Sequence, residues 1–262
     1  MQLTLYQIDA FTDRVFGGNP AAVCVLDTWL DASLMQKIAQ ENNLAETAFV
    51  VQKNDIFELR WFTPEIEVDL CGHATLAAGY VIYKYLGYPE KTIRFYSPRS
   101  GKLSVDLEDD GFLTLNFPSD ELVAIQGNTE INKAIGLTPS RTLKGKTDYL
   151  LIYHSQEEIE TIQPNFHLLE QLDCRGVVVS APGKYADFVS RFFAPQCGIQ
   201  EDPVTGSAHT SLTPYWSKVL GKTKMTAQQL SKRSGNLICE YLGERVKISG
   251  KAVPYLIGEI QI

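Results

Sequence analysis

With 262 residues, 44% of them hydrophobic and 21% charged, the chain has enough apolar matter for one large domain or two ordinary ones, which excludes disorder, collagen-like repeats and small disulfide scaffolds. Its 24 basic residues against 31 acidic ones give a net charge of −7, the wrong sign for a nucleic-acid partner, which would require a basic face. The five cysteines are odd in number and show no C-x-x-C spacing, so neither a disulfide framework nor a zinc motif is expected.

The first nine residues, Met1–Asp9, alternate polar and apolar like a strand and lack the basic and apolar regions of a signal peptide. The longest mostly apolar run, Leu76–Tyr83, is far short of the ~20 residues that span a bilayer. A soluble, reduced, cytoplasmic protein without a membrane partner is the expectation. Alternation and β-branched or aromatic content predict strands at Leu3–Phe11, Ala21–Leu26, Thr47–Val51, Phe57–Phe62, Leu103–Leu107 and Phe112–Phe117. In the second half they predict Asp148–Tyr153, Gly176–Ser180, Phe188–Phe193, Leu237–Tyr241, Arg245–Ile248 and Tyr255–Ile262. Asp31 is placed to cap a helix over Ala32–Asn42, with Leu34, Met35, Ile38 and Ala39 on one face. Ser155 and Glu158 have capping-box spacing. Strands and helices do not alternate eight times, which disfavours a TIM barrel.

Two helical segments, His73–Leu86 and Ser207–Leu220, are apolar or small on every side, the pattern of a buried helix. Pro214 predicts a kink or break in the second. The two segments superimpose without a gap when Cys71 is laid over Thr205, an offset of 134, matching Gly72/Gly206, Ala74/Ala208, Lys84/Lys218, Leu86/Leu220 and Gly87/Gly221. Ser100-Gly-Lys-Leu103 falls on Ser234-Gly-Asn-Leu237 at the same offset, and Phe62-Thr-Pro64 falls on Phe193-Ala-Pro195 at 131. One unit made twice is the reading: an α+β fold of two pseudo-symmetric domains, each a curved, mostly antiparallel sheet around one buried helix. Helix N-termini carry roughly half a positive charge, so two of them meeting at one cleft would suit a small carboxylate. Pro118 marks a first boundary between the halves.

Gly18-Asn-Pro20, Asn43-Leu-Ala-Glu-Thr-Ala-Phe49, Phe62-Thr-Pro64, Asp69-Leu-Cys-Gly-His-Ala-Thr75 and Glu201-Asp-Pro-Val-Thr-Gly-Ser-Ala-His209, in order along the chain, resemble the phenazine-biosynthesis PhzF-like isomerase family, which has the diaminopimelate epimerase-like fold. The resemblance implies that the last strand returns to the first domain. The domains then become 1–118 plus 252–262, and 119–251. It also implies a homodimer without a cofactor, and an isomerase that moves a proton on a small, cyclic, carboxylate-bearing substrate in the interdomain cleft. By the same resemblance Glu46 is the proton shuttle, and His73, Asp202 and Ser207 position the substrate and assist, these four forming the catalytic set. Asn19, Gly72, Thr205, Gly206 and His209 are the expected substrate-binding residues.

The residues admit blander readings too. Glu46 sits among Leu44, Ala45 and Ala48, where partial desolvation would raise its pKa, or else it is a strand-edge residue in water. His73, in the first turn of a helix, is expected to be neutral, because the positive helix end disfavours imidazolium; a buried, hydrogen-bonded histidine is the alternative. Asp202 can cap the second helix, and Ser207 can simply start it. Zinc bound by His73 and His209 would need further ligands, and no metal site is expected. Racemases of this fold use two thiols, yet Cys71 falls on Thr205 in the repeat, so two-thiol chemistry is disfavoured. A lyase or dehydratase using Cys71, and a small-molecule-binding protein without catalysis, are the rival functions.

Overall fold

Period-two burial is plainest in the segment Thr92–Ser97, where Ile93, Phe95 and Ser97 are buried and Thr92, Arg94 and Tyr96 are exposed. The computed structural model describes Met1–Ile262, and the chain forms two compact units, one of Met1–Asn116 with Ser249–Ile262 and a second of Phe117–Ile248. The first unit carries β1 (Gln2–Ala10), β2 (Asn19–Leu26), α1 (Ala32–Asn42), β3 (Glu46–Lys53), β4 (Ile56–Phe62), β5 (Glu67–Val68), α2 (Gly72–Tyr85), β6 (Thr92–Ser97), β7 (Gly101–Leu107) and β8 (Leu113–Pro118). The second carries β9 (Val123–Ile125), α3 (Thr129–Ile135), β10 (Arg141–Lys144), β11 (Asp148–Ile152), α4 (Gln156–Thr161), α5 (Phe166–Glu170), β12 (Gly176–Pro182) and β13 (Phe188–Ala194). It continues through β14 (Ile199–Asp202), α6 (Ala208–Leu220), β15 (Lys224–Gln229), β16 (Gly235–Tyr241) and β17 (Arg245–Gly250), and β18 (Ala252–Gln261) then rejoins the first unit.

Within the first unit β1 runs antiparallel to β2 and to β18, and β2 runs parallel to β3 from the pair Ala21 and Glu46. β4 pairs antiparallel with β3 and β5 and parallel with β6, and β6, β7 and β8 form an antiparallel meander. The second unit repeats this order. β10 pairs with β9 and β11, β11 runs parallel to β12 from Asp148 and Gly176, and β13 pairs with β12, β14 and β15. The late strand β18 therefore does for β1 what β9 does for β10.

Register carries the repeat down to a particular ion pair. Phe62 faces Glu67 across β4 and β5, and Phe193 faces Glu201 across β13 and β14. Two residues before each phenylalanine, Arg60 bonds Glu67 through Nε at 2.7 Å and Nη2 at 2.8 Å, and Arg191 bonds Glu201 at 2.7 and 3.0 Å. Each guanidinium also covers the following phenylalanine ring, at 5.2 and 4.8 Å from its centre. The change of offset from 131 to 134 is absorbed by a 3-10 turn, Pro195–Cys197, that ends on Gly198.

α2 is buried on nearly all sides, as an apolar helix must be. Gly79 lets it approach β7, since a Cβ there would lie 2.8 Å from Val105 Cγ1. α6 runs without a break from Ala208 to Leu220 through Pro214, where a kink or break was expected. Proline leaves the carbonyl four residues earlier without its helical donor, and the Asp120 N–H takes that Thr210 carbonyl at 3.1 Å. Trp216 of α6 stacks on Phe188 at 5.7 Å and donates from Nε1 to Ser180 Oγ at 2.9 Å. The Ser155–Glu158 capping box forms. Asp31 holds the N-cap position of α1, but its side chain makes no cap hydrogen bond. β1 stops one residue short of expectation because Phe11 turns to φ 63° and buries its ring against Gly250, where a Cβ would come within 2.3 Å of Cδ1.

Candidate active site

In the first unit three elements bring polar side chains to one point. β2 opens on Asn19, β3 opens on Glu46, and α2 starts with Cys71 at its N-cap and His73 in its first turn. Asn19 needs the turn before it: Gly18 has φ 62°, and a Cβ there would lie 2.1 Å from the Ala10 carbonyl oxygen. The parallel pairing of Ala21 with Glu46 then carries the carboxylate alongside the same strand.

His73 is the hub. Its Nδ1 lies 3.0 Å from Asn19 Nδ2 and 3.5 Å from Cys71 Sγ, while Nε2 lies 3.1 Å from Glu46 Oε2. Donation by the Asn19 amide requires a bare Nδ1 and puts the single ring proton of a neutral His73 on Nε2, toward Glu46. The Glu46 contact has ion-pair distance without hydrogen-bond alignment, so Oε2 is a buried carboxylate oxygen with no hydrogen-bond partner. His73 is 4% exposed, whereas the Glu46 side chain keeps 12% of its surface open. Gly72, beside His73, is buried.

Burial works against protonating His73, and its interactions with Cys71 and Glu46 outweigh that, so its pKa stands above the ordinary histidine value. Burial, reinforced by Glu46, pushes the Cys71 thiol up to about 11 against the pull of His73. Cys71 is therefore a thiol at neutral pH. The shift runs against the neutral His73 expected from its helix position, because a carboxylate 3.1 Å away opposes the helix-end charge. To hold the second proton, the Asn19 amide must turn so that its oxygen accepts from Nδ1–H.

Glu46, Cys71 and His73 each offer one ligand atom, all within 4.8 Å of one another. Their positions along the chain form no metal motif, so spacing could not reveal the group.

In the second unit Asp202 ends β14, and its carboxylate accepts from Thr205 Oγ1 instead of capping α6. Gln229 binds this loop with both ends of its amide: Oε1 accepts from Thr205 N–H at 2.8 Å, and Nε2 donates to the Asp202 carbonyl at 2.7 Å and to Thr205 Oγ1 at 3.1 Å. Ser207 starts α6 without capping it and accepts from Arg175 Nη1 at 3.0 Å. Arg175 is itself paired with buried Asp148, Nε to Oδ1 at 2.9 Å. Some donors expected to stand free at this helix start are used internally, His209 N–H on the Gly206 carbonyl and Thr210 N–H on that of Ser207, both at 3.1 Å.

His209 is fully buried against Phe188, with Nδ1 2.8 Å from the Thr205 carbonyl. That contact makes Nδ1 the protonated nitrogen of a neutral ring. Burial lowers its pKa to about 4. An unfolded histidine titrates near 6.5, so the unfolded chain binds the extra proton between those values and stability falls as pH drops from about 6.5 toward 4. The contribution lost over that window is about 3 kcal/mol. Urea midpoints at pH 7.5 and 4.5 are expected to differ less in His209→Gln than in the unsubstituted chain, and equal differences would refute the assignment.

Glu46 has no counterpart in the second unit. Strand register puts Gly176 where β3 has Glu46, and a Cβ at Gly176 would meet Phe193 O at 2.8 Å. Ser207 stands where the first unit has His73, and Thr205 where it has Cys71. A carboxylate, an imidazole and a thiol in mutual contact are thus particular to the first unit, and they suit proton transfer. Sequence reasoning missed Arg175, Asp148 and Gln229. Gln229 faces Gly235 as Ser97 faces Gly101, so a buried polar residue closes this strand in both units.

Comparison with known proteins agrees with the motifs. The sequence model of the family described as phenazine biosynthesis-like protein (PhzC-PhzF) matches residues 8–258. A Pseudomonas aeruginosa protein named an uncharacterized isomerase is 49% identical over 262 residues, covering 100% of both chains. A crystal structure described as a phenazine biosynthesis PhzF family protein of Enterococcus faecalis is 44% identical, covers 100% of both chains and superposes with a TM-score of 0.96. A predicted epimerase from Pseudomonas aeruginosa shares the fold at 18% identity, with a TM-score of 0.75 over 99% of each chain.

Proposed function

The chain belongs to the phenazine biosynthesis-like PhzF family, and on that premise we propose that it is a cofactor-independent isomerase with Glu46 as its general acid/base. Family membership supports isomerase-type activity in general. The particular role of Glu46 is supported by one observation above all: a carboxylate oxygen 3.1 Å from His73 Nε2, without a hydrogen-bond partner, on a side chain still 12% open. Glu46 takes a proton from carbon on one side of a conjugated or α-carbonyl system and returns it elsewhere on the same substrate. His73 holds a proton against Glu46 and steadies the negative charge, and Asn19 orients the ring. Asp202 and Ser207 are proposed as groups that bind a small, cyclic, carboxylate-bearing substrate.

The test is solvent exchange. A panel of small cyclic and amino carboxylates is incubated with the protein in deuterium oxide containing a chelator and analysed by proton NMR. Deuterium entering at carbon in at least one compound is the expected result. Tight binding of a candidate with no exchange in any would instead mark a binding protein.

A further inference from the structure

We propose that Glu46, Cys71 and His73 form a binding site for a thiophilic divalent cation, with zinc as the representative ion. One carboxylate, one thiol and one imidazole are the mixed donor set of zinc sites that keep a fourth position open. Around a tetrahedral zinc, with metal–ligand distances of about 2.0–2.3 Å, a nitrogen and an oxygen donor stand about 3.3 Å apart and a sulfur and a nitrogen about 3.5 Å apart. His73 Nε2 lies 3.1 Å from Glu46 Oε2 and 4.0 Å from Cys71 Sγ, and all three ligand atoms lie within 4.8 Å of one another, near the spread a tetrahedral ion requires.

Two further observations point to a ligand here. Glu46 Oε2 and His73 Nε2 face each other at 3.1 Å without hydrogen-bond alignment, a spacing at which one ion can take both as ligands. Nδ1 of His73 lies 3.0 Å from the Asn19 amide; with the amide oxygen turned toward it, Nδ1–H donates there, the outer contact that orients a metal-binding imidazole and frees Nε2 for the ion. The partly open Glu46 side chain gives a path in, while Cys71 and His73 are enclosed. On binding, the Cys71 S–H proton, together with any proton on Nε2, leaves to buffer as the metal bonds form. Occupancy removes Glu46 and His73 from proton transfer, so the bound ion is an inhibitor; only this last consequence rests on the proposed isomerase.

Cobalt(II), which reports thiolate ligation by a near-ultraviolet charge-transfer band, is the probe for the reduced, chelator-treated chain without substrate. The expected result is saturation at one cobalt per chain, the thiolate band, and displacement by zinc. Cys71→Ser should erase the band, and Glu46→Gln should weaken cobalt binding by roughly tenfold or more. The second variant decides the matter if the first does not fold. Absence of saturable binding, or binding unchanged by either substitution, overturns the site. Since this measurement uses no substrate and the exchange assay contains chelator, failure of one leaves the other standing.

Discussion

Glu46→Gln is expected to lower turnover by roughly two to four orders of magnitude, the usual contribution of a positioned general acid/base. The amide preserves the size and shape of the side chain but cannot accept a proton from carbon. Substrate affinity should change little, because the lost function lies in the transition state and the binding surface is retained. Stability should fall, because the amide removes the charge partner that lies 3.1 Å from buried His73, so urea unfolding of the variant accompanies the kinetics. The measurement is steady-state kinetics on a substrate found by deuterium exchange, paired with direct binding of that compound to the variant. Full turnover in Glu46→Gln would sink the mechanism. A parallel loss of binding would show that Glu46 holds the substrate instead of acting on it.

Arg191→Ala is expected to destabilise the second unit by about 3–5 kcal/mol, the range for breaking a largely buried ion pair from one side. Arg191 and Glu201 retain only 13% and 19% side-chain exposure. Beyond its two bonds to Glu201, Arg191 donates from Nη1 to the carbonyls of Ile159 at 3.0 Å and Ile162 at 2.8 Å, tying the end of α4 to β13. Arg191→Lys should recover little, because a single ammonium cannot reproduce the planar fork. Urea unfolding of both variants and of Arg191→Ala with Glu201→Ala checks this. Removing both partners should be less damaging than removing the arginine alone, since no buried carboxylate is then stranded. A lysine variant as stable as the parent chain would refute the account.

Much of this architecture was legible because it is written twice. The glycines at 72 and 206 and at 87 and 221 bracket the two central helices, and the offset of 134 returns at β7 and β16, while β6 and β15 correspond at 132. Short elements escaped notice for a physical reason: β5, β9 and β14 have two to four residues, too few to show a period, and α3 presents barely two turns. β15 was missed because its inward positions are Met225, Ala227 and the buried Gln229, a weak apolar signal. Glu46 and His73 were named by resemblance, and spacing alone could not have joined a strand to a helix so far along the chain. For His73 the helix end was weighed without the carboxylate that only folding brings beside it. Gln229 and Arg175 act through contacts that no local pattern records.

The pairing of β1 with β18 has a consequence for how the chain is born. At about 5–20 residues per second, the ribosome delivers the partner of β1 on the order of tens of seconds after β1 itself. All of Phe117–Ile248 has been made by then, so the second unit has its complete set of strands first. Until Ala252–Gln261 emerges, the edge of β1 that it will cover stands open, with Leu3 and Leu5 on the strand. A chain truncated before Ala252 would keep every strand of the second unit and leave the first unit with an unguarded sheet edge. Any holding factor would find its substrate in that half-made state.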